Sequence, residues 1–143
     1  NLKIGGGLDD VWLNTKTDQI HIVDYKSTSI KTEGKFIDMN DKWKGAYKRQ
    51  MDIYIWIMKQ NGFDVSDTGY FLYCDGDRFT DEPFLGETDA RMVFKMHLFD
   101  YESDQSWVEE TLKKIKEVLH SEICPEHKEG CEHGDFIIAV NNI

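Results

Sequence analysis

The chain has 143 residues, 40% of them hydrophobic and 13% aromatic, enough apolar material for one ordinary domain with a real core and too much for a disordered segment. Its net charge of −10 argues against a protein that coats nucleic acid nonspecifically. No apolar run approaches the ~20 residues of a membrane span, and no secretory signal pattern is present, so an intracellular (cytoplasmic) location is the default expectation. The chain begins at Asn1 in what already reads as a core strand, which leads us to expect that upstream sequence is missing or was removed.

Residues 4–13 alternate weakly and predict a strand, with Gly5, Gly6 and Gly7 permitting a bulge or a close backbone approach. Polar residues 14–19 form the turn into a second strand at 20–26, and the two should pair as a hairpin. Residues 27–41 lack periodicity and predict a long loop, a feature that is usually functional or disordered inside a compact domain. Helical periodicity starts near 41–43 and continues to Gln60, where Asn61 and Gly62 supply the stop. It places Tyr47, Met51, Tyr54 and Met58 close to one side and Lys44, Lys48 and Lys59 elsewhere.

Residues 68–74 are apolar nearly throughout, as a central buried strand would be, and Asp75, Gly76 and Asp77 then read as a turn. The acidic loop at 75–89 lacks the regular oxygen spacing of a calcium loop. Residues 93–99 alternate as a fourth strand. Residues 104–120, capped by Ser103 or Asp104 and carrying Trp107, Leu112, Ile115, Val118 and Leu119 at helical spacing, predict a second helix that serves packing. The tail at 121–143 reads as irregular, and no repeat or linker divides the chain. This order predicts a single α/β or α+β domain over residues 1–143, with a mixed central sheet of about four strands flanked by helices.

Side chains two apart on a strand share a face, so Asp24 and Lys26 project together beside Ile22. A carboxylate beside an ammonium suits a bound cation next to a phosphate, although such a pair on an exposed hairpin is also common and inert. Asp9, at the end of the first strand, could meet Asp24 at one point. Asp10 points to the opposite face and stands as its substitute, and the backbone carbonyl of Tyr25 could add a third oxygen. Magnesium or manganese accepts such oxygen ligands and can generate a nucleophilic water, while Lys26 could orient that water or neutralise developing charge. Gln50 and Tyr54 are four apart on one helix face, placed either to orient a lysine or contact a phosphate, or as rim and core. Between Lys26 and Arg49 seven basic residues stand against three acidic ones, a local charge of +4 against −14 elsewhere. Within that stretch Lys42, Lys44, Lys48 and Arg49 are candidate DNA contacts, and a solvated helix start is the ordinary alternative.

Taken together, Gly7-Leu8-Asp9, Val23-Asp24-Tyr25-Lys26 and Gln50-Met51-Asp52-Ile53-Tyr54 resemble the motifs of the PD-(D/E)XK nuclease superfamily in its RecB-type exonuclease branch, over roughly residues 4–62. The resemblance implies a restriction-endonuclease-like core and a Mg2+- or Mn2+-dependent deoxyribonuclease, an exonuclease acting on single strands or duplex ends. It implies Asp9 and Asp24 as metal ligands, Lys26 as the catalytic lysine, and Gln50 with Tyr54 as the helix motif. Repair, recombination or phage DNA processing would be the setting, with a helicase or recombination partner.

Two departures qualify it. Many relatives take a His or Glu ligand from an upstream helix, and Asn1 is expected to lie too late to include it, so that ligand stays unassigned. Relatives in this branch often hold an iron–sulfur cluster, but Cys131-Glu132-His133-Gly134-Asp135-Phe136 looks like a Cys-x-x-Cys-aromatic ending with Gly134 in place of the second cysteine, so no cluster is expected. Cys124, His127, Cys131 and His133 are ligand types that zinc accepts, though their spacing matches no standard site. Cys74 reads as inert packing in its strand, and three cysteines do not suggest a disulfide framework. The alternative reading is a catalytically silent nucleic-acid-binding or scaffolding module that kept the fold. Net acidity favours it, and the intact Asp, Asp, Lys set disfavours it.

Overall fold

A computed structural model describes residues 2–30, 33–79, 81, 84–123 and 125–141. Two compact units form, one of residues 3–108 and one of residues 109–143 with Leu2. The first unit holds strands β1 (Asp10–Leu13), β2 (Ile20–Thr28), β3 (Thr68–Asp77) and β4 (Val93–Glu102), a single 3-10 turn at Lys42–Lys44 and helix α1 (Gly45–Gln60). The sheet order is β1-β2-β3-β4, with β2 and β3 parallel and both outer pairs antiparallel. This is the mixed four-stranded α+β sheet that the sequence predicts. Parallel neighbours need a long crossover, and residues 29–67, with α1, provide it.

The local chemistry explains the elements. The β1–β2 hairpin closes through the Asn14 N–H donating to the Gln19 carbonyl at 2.9 Å, with Asp18 in the left-handed region at φ 57°, a conformation that short polar residues tolerate. Helix α1 stops at Asn61, whose side chain donates to the Ile57 carbonyl at 2.8 Å, and Gly62 follows at φ +88°. Ile22 and Phe71 from the sheet, Val65, and Met51 and Ile55 from α1 form the core together with Tyr73, and Tyr47, Tyr54 and Met58 pack against it. Gly69 is required there, because a Cβ at that position would come within 2.5 Å of Met51 Sδ.

Four features differ from the sequence reading. β1 begins only at Asp10, since Gly5, Gly6 and Gly7 offer the ladder no side chains to pack and lose the most entropy on ordering. Asp75, Gly76 and Asp77 continue β3 instead of turning. Their polarity is satisfied in place: buried Asp75 accepts the Ile30 N–H at 3.2 Å, and Asp77 pairs with Lys95 at 2.8 Å across the strands. Helix α2 (Val108–His120) starts four residues later than its cap residues suggested, because the Asp104 carboxylate is occupied locally by the Ser106 N–H at 3.0 Å. Residues 121–143 are not wholly irregular, for they contain α3 (Glu132–Asn141), whose first turn is capped by Cys131 Sγ accepting the Gly134 N–H at 3.4 Å. Lys31 and Cys124 lie outside the described residues. Among the described residues no helix is long and apolar enough to cross a membrane.

Candidate active site

β2 sends Ile22 into the core beneath α1, and the residues two and four further along, Asp24 and Lys26, follow on the same face. Asp24 is buried, 4% exposed, and its Oδ2 forms an ion pair with Lys26 Nζ. Burial pushes the Asp24 carboxyl above the usual carboxylate range; the Lys26 ammonium opposes this, and the negative Asp9 carboxylate beside it adds to it. Lys26 Nζ lies 4.6 Å from the Tyr47 ring centroid, so α1 holds the lysine from above by a cation–π contact.

The structure separates Asp9 from Asp10. Asp9 accepts the Tyr25 N–H at 2.8 Å and stands close enough to Asp24 to act on it through charge and hydrogen bonding. Asp10 is engaged elsewhere, accepting the Tyr25 hydroxyl, the Val11 N–H at 2.7 Å and the Trp12 indole N–H at 3.1 Å. These bonds hold the Asp10 carboxyl below its ordinary range. Tyr25 thus has Asp9 at its backbone N–H and Asp10 at its phenol.

Gln50 Nε2 donates to Tyr54 Oη at 2.9 Å, so the two helix residues act as one unit. The glycine run reaches the same unit: a Cβ on Gly6 would lie 2.8 Å from Tyr54 Cε1, so only glycine lets the segment before Asp9 pass over the tyrosine.

The basic residues divide. Lys42 and Arg49 are exposed, and Lys48 is half-buried with Nζ 5.7 Å from the Tyr101 ring centroid. Lys44 is 2% exposed, and is not part of an open basic face. Its ammonium lies over the rings of Tyr73 (4.9 Å) and Trp43 (5.1 Å), and burial pushes its pKa down against the attraction of Asp41 and Asp38. Tyr73, the register partner of Lys26, is likewise buried. Its phenol is pushed up to about 12 by burial first, then by Tyr47 and Asp24. The sequence offers Lys44 as a DNA contact and Tyr73 as strand filling; that both are buried beside one another was not legible.

Asp24 Oδ2 is a buried carboxylate oxygen held only by the Lys26 ammonium, and with Asp9 beside it the donor set is hard and anionic. Those properties fit Mg2+ or Mn2+, which take oxygen ligands and retain waters. Among the described residues no group of three or more His, Cys, Asp or Glu could hold a metal ion, and His127, Cys131 and His133 form no such group; Cys124, the fourth zinc candidate, lies outside the described residues.

The model of the PD-(D/E)XK nuclease superfamily matches residues 1–137. The chain belongs to that superfamily, a class of nucleases, and its mixed sheet is consistent with the restriction-endonuclease-like fold. Comparison with curated proteins and with solved structures gives no match.

Proposed function

We propose that this protein is a Mg2+- or Mn2+-dependent deoxyribonuclease of the RecB type, an exonuclease acting on single strands or duplex ends in repair, recombination or phage DNA processing. Residues 1–143 would serve as one catalytic domain, working beside a helicase or recombination partner. The observation that carries the reading is the meeting of Asp9 and a buried Asp24 beside Lys26, whose ammonium is the one partner of Asp24 Oδ2.

Asp9, Asp24 and the Tyr25 carbonyl would hold the metal, which when bound supplies an activated water and charge stabilisation at the phosphate. Lys26, steadied over Tyr47, orients the water or neutralises charge on the phosphate oxygens. The Gln50–Tyr54 pair faces the strand and fixes the approach of the segment carrying Asp9. Lys42, Lys48 and Arg49 contribute phosphate contacts along the entry to α1, where local attraction matters despite the net charge of −10. Hydrolysis joins the water oxygen to phosphorus and breaks one phosphorus–oxygen bond of the chain. One water proton ends on the leaving oxygen and the other in solvent.

The experiment is degradation of end-labelled single- and double-stranded linear DNA with Mn2+, comparing wild type with Lys26→Ala and Asp24→Ala. Metal-dependent cleavage that disappears in both variants is the expected result. A folded wild type that binds Mn2+ and DNA without cutting would instead indicate the silent-module reading.

A further inference from the structure

Among the described residues two buried side-chain oxygens lack an ordinary hydrogen bond: Tyr73 Oη has no partner, and Asp24 Oδ2 has only the Lys26 ammonium. Buried polar atoms are satisfied in the large majority of cases, and the exceptions call for an explanation. These two exceptions belong to one place. Tyr73 stands opposite Lys26 in the parallel β2–β3 register, two residues along from Asp24, and is close enough to feel the Asp24 charge. The Asp24 oxygen is an acceptor with lone-pair capacity beyond the lysine, and Tyr73 Oη is a phenol, a donor at neutral pH.

Packing alone does not account for the hydroxyl. Tyr73 is 2% exposed and its ring is fixed by Lys44 Nζ at 4.9 Å from the centroid and by an edge contact to Phe99 at 5.8 Å. A phenylalanine would fill the same space and meet the same ring contacts without burying an unpaired oxygen. A rigid ring also places Oη reproducibly, which a positioning group needs.

We propose that Tyr73 is a positioning residue of the hydrolytic site, its hydroxyl and Asp24 Oδ2 together holding the water that attacks the phosphate. The proposal rests on the nuclease reading for the attack, and on the unpartnered Tyr73 hydroxyl beside the Asp24 carboxylate for the water. Tyr73 donates one hydrogen bond to that water and takes no proton from it, so the bonds made and broken are those of the hydrolysis above.

Tyr73→Phe removes one oxygen and leaves the ring. The measurements are steady-state cleavage of labelled DNA with Mn2+, Mn2+ affinity by calorimetry, and the urea midpoint. The expected result is a fall of about 10–100-fold in kcat with KM for DNA unchanged, about tenfold weaker Mn2+ binding, and an unchanged urea midpoint. A variant with wild-type kcat and a raised midpoint overturns the proposal, since the hydroxyl is then only an unsatisfied atom. If folded wild type binds Mn2+ and cuts nothing, the nuclease reading fails by itself. Mn2+ affinity then decides whether Tyr73 serves the carboxylate site: weakening in Tyr73→Phe supports that, and equal affinity overturns it. A folded wild type that binds no Mn2+ overturns both.

Discussion

Asp52 lies between Gln50 and Tyr54 in the sequence and has a different task. Its carboxylate is 3% exposed and accepts four hydrogen bonds. Oδ1 receives the Tyr101 hydroxyl at 3.0 Å, the Ser103 hydroxyl at 3.0 Å and the Asp104 N–H at 3.1 Å, and Oδ2 receives the Trp107 indole N–H at 3.0 Å. One helix residue thus ties α1 to the end of β4 and to the segment leading to Val108. Asp52→Ala leaves all four donors without their acceptor. Hydrogen bonds to a charged group contribute about 1.5–3 kcal/mol each, but four bonds to one carboxylate are not additive, and removing the buried charge returns part of its desolvation cost. The expected loss is therefore about 3–5 kcal/mol, the range for breaking a buried charged network. With a urea dependence of about 1–3 kcal/mol per molar, that lowers the midpoint by about 1–5 M. Asp52→Asn keeps the shape but turns an amide N–H toward one of the donors, and should lose less. Equilibrium urea unfolding followed by far-UV circular dichroism and tryptophan fluorescence measures both. A shift under about 1 kcal/mol for Asp52→Ala would refute the claim that this carboxylate joins the elements.

Three further outcomes follow from the same structure. Asp24→Asn should abolish cleavage and Mn2+ binding while leaving the urea midpoint at pH 7 no lower than wild type. The folded carboxyl is raised above its ordinary 3.8, so ionisation opposes folding, and wild-type stability declines as pH climbs from 3.8 through the raised pKa. A clearly destabilised Asp24→Asn protein would contradict this. Gly6→Val places a side chain against Tyr54, where even a Cβ would come within 2.8 Å of the ring. Overpacking of this kind costs about 1–3 kcal/mol, and breaking the Gln50–Tyr54 bond should also depress cleavage. Wild-type rates in a folded variant would dissociate the glycine run from the site. For Lys44 the folded pKa lies below its ordinary 10.5, so the unfolded state binds more protons between the two values and stability should rise with pH in that window. Lys44→Met removes the cation, and urea titrations across alkaline pH should show that its rise is smaller than that of wild type.

The sheet was legible because its signals are local. The strand patterns at 20–26, 68–74 and 93–99 each landed inside an observed strand, and the Asn61-Gly62 stop landed at the end of α1. Errors arose where a residue's partner is distant in sequence. Asp75 reads as a turn residue until Ile30, 45 positions away, supplies an N–H. Lys44 reads as solvated until Tyr73 and Trp43 offer their ring faces. The choice between Asp9 and Asp10 could not be made from spacing with certainty, since adjacent residues alternate on a strand; the Tyr25 N–H and hydroxyl separate their environments. The stretch that carries the glycines left no strand signal because a residue without a side chain has none to give; its use appears only against Tyr54.

Two of the buried carboxylates of the first unit show how the same chemistry serves opposite ends. Asp52 and Asp24 have nearly the same exposure, 3% and 4%. Asp52 has a donor for both oxygens and so is finished within the protein. Asp24 has the Lys26 ammonium on Oδ2 and a second carboxylate beside it, so its buried charge is only partly compensated within the protein. Burial alone therefore cannot separate a structural acid from a functional one; the count of satisfied lone pairs is the better guide. On that criterion Asp52 is expected to serve stability and Asp24 the proposed site, and opposite signs are expected when each is replaced by asparagine. Asp52→Asn should lose stability whether or not Mn2+ is present. Asp24→Asn should match or exceed wild type without the ion, and fall behind only when added Mn2+ stabilises wild type by mass action. Thermal unfolding of the three proteins with and without Mn2+ reads both signs in one experiment, and an Mn2+-induced rise in Asp24→Asn equal to that of wild type would separate the ion from Asp24.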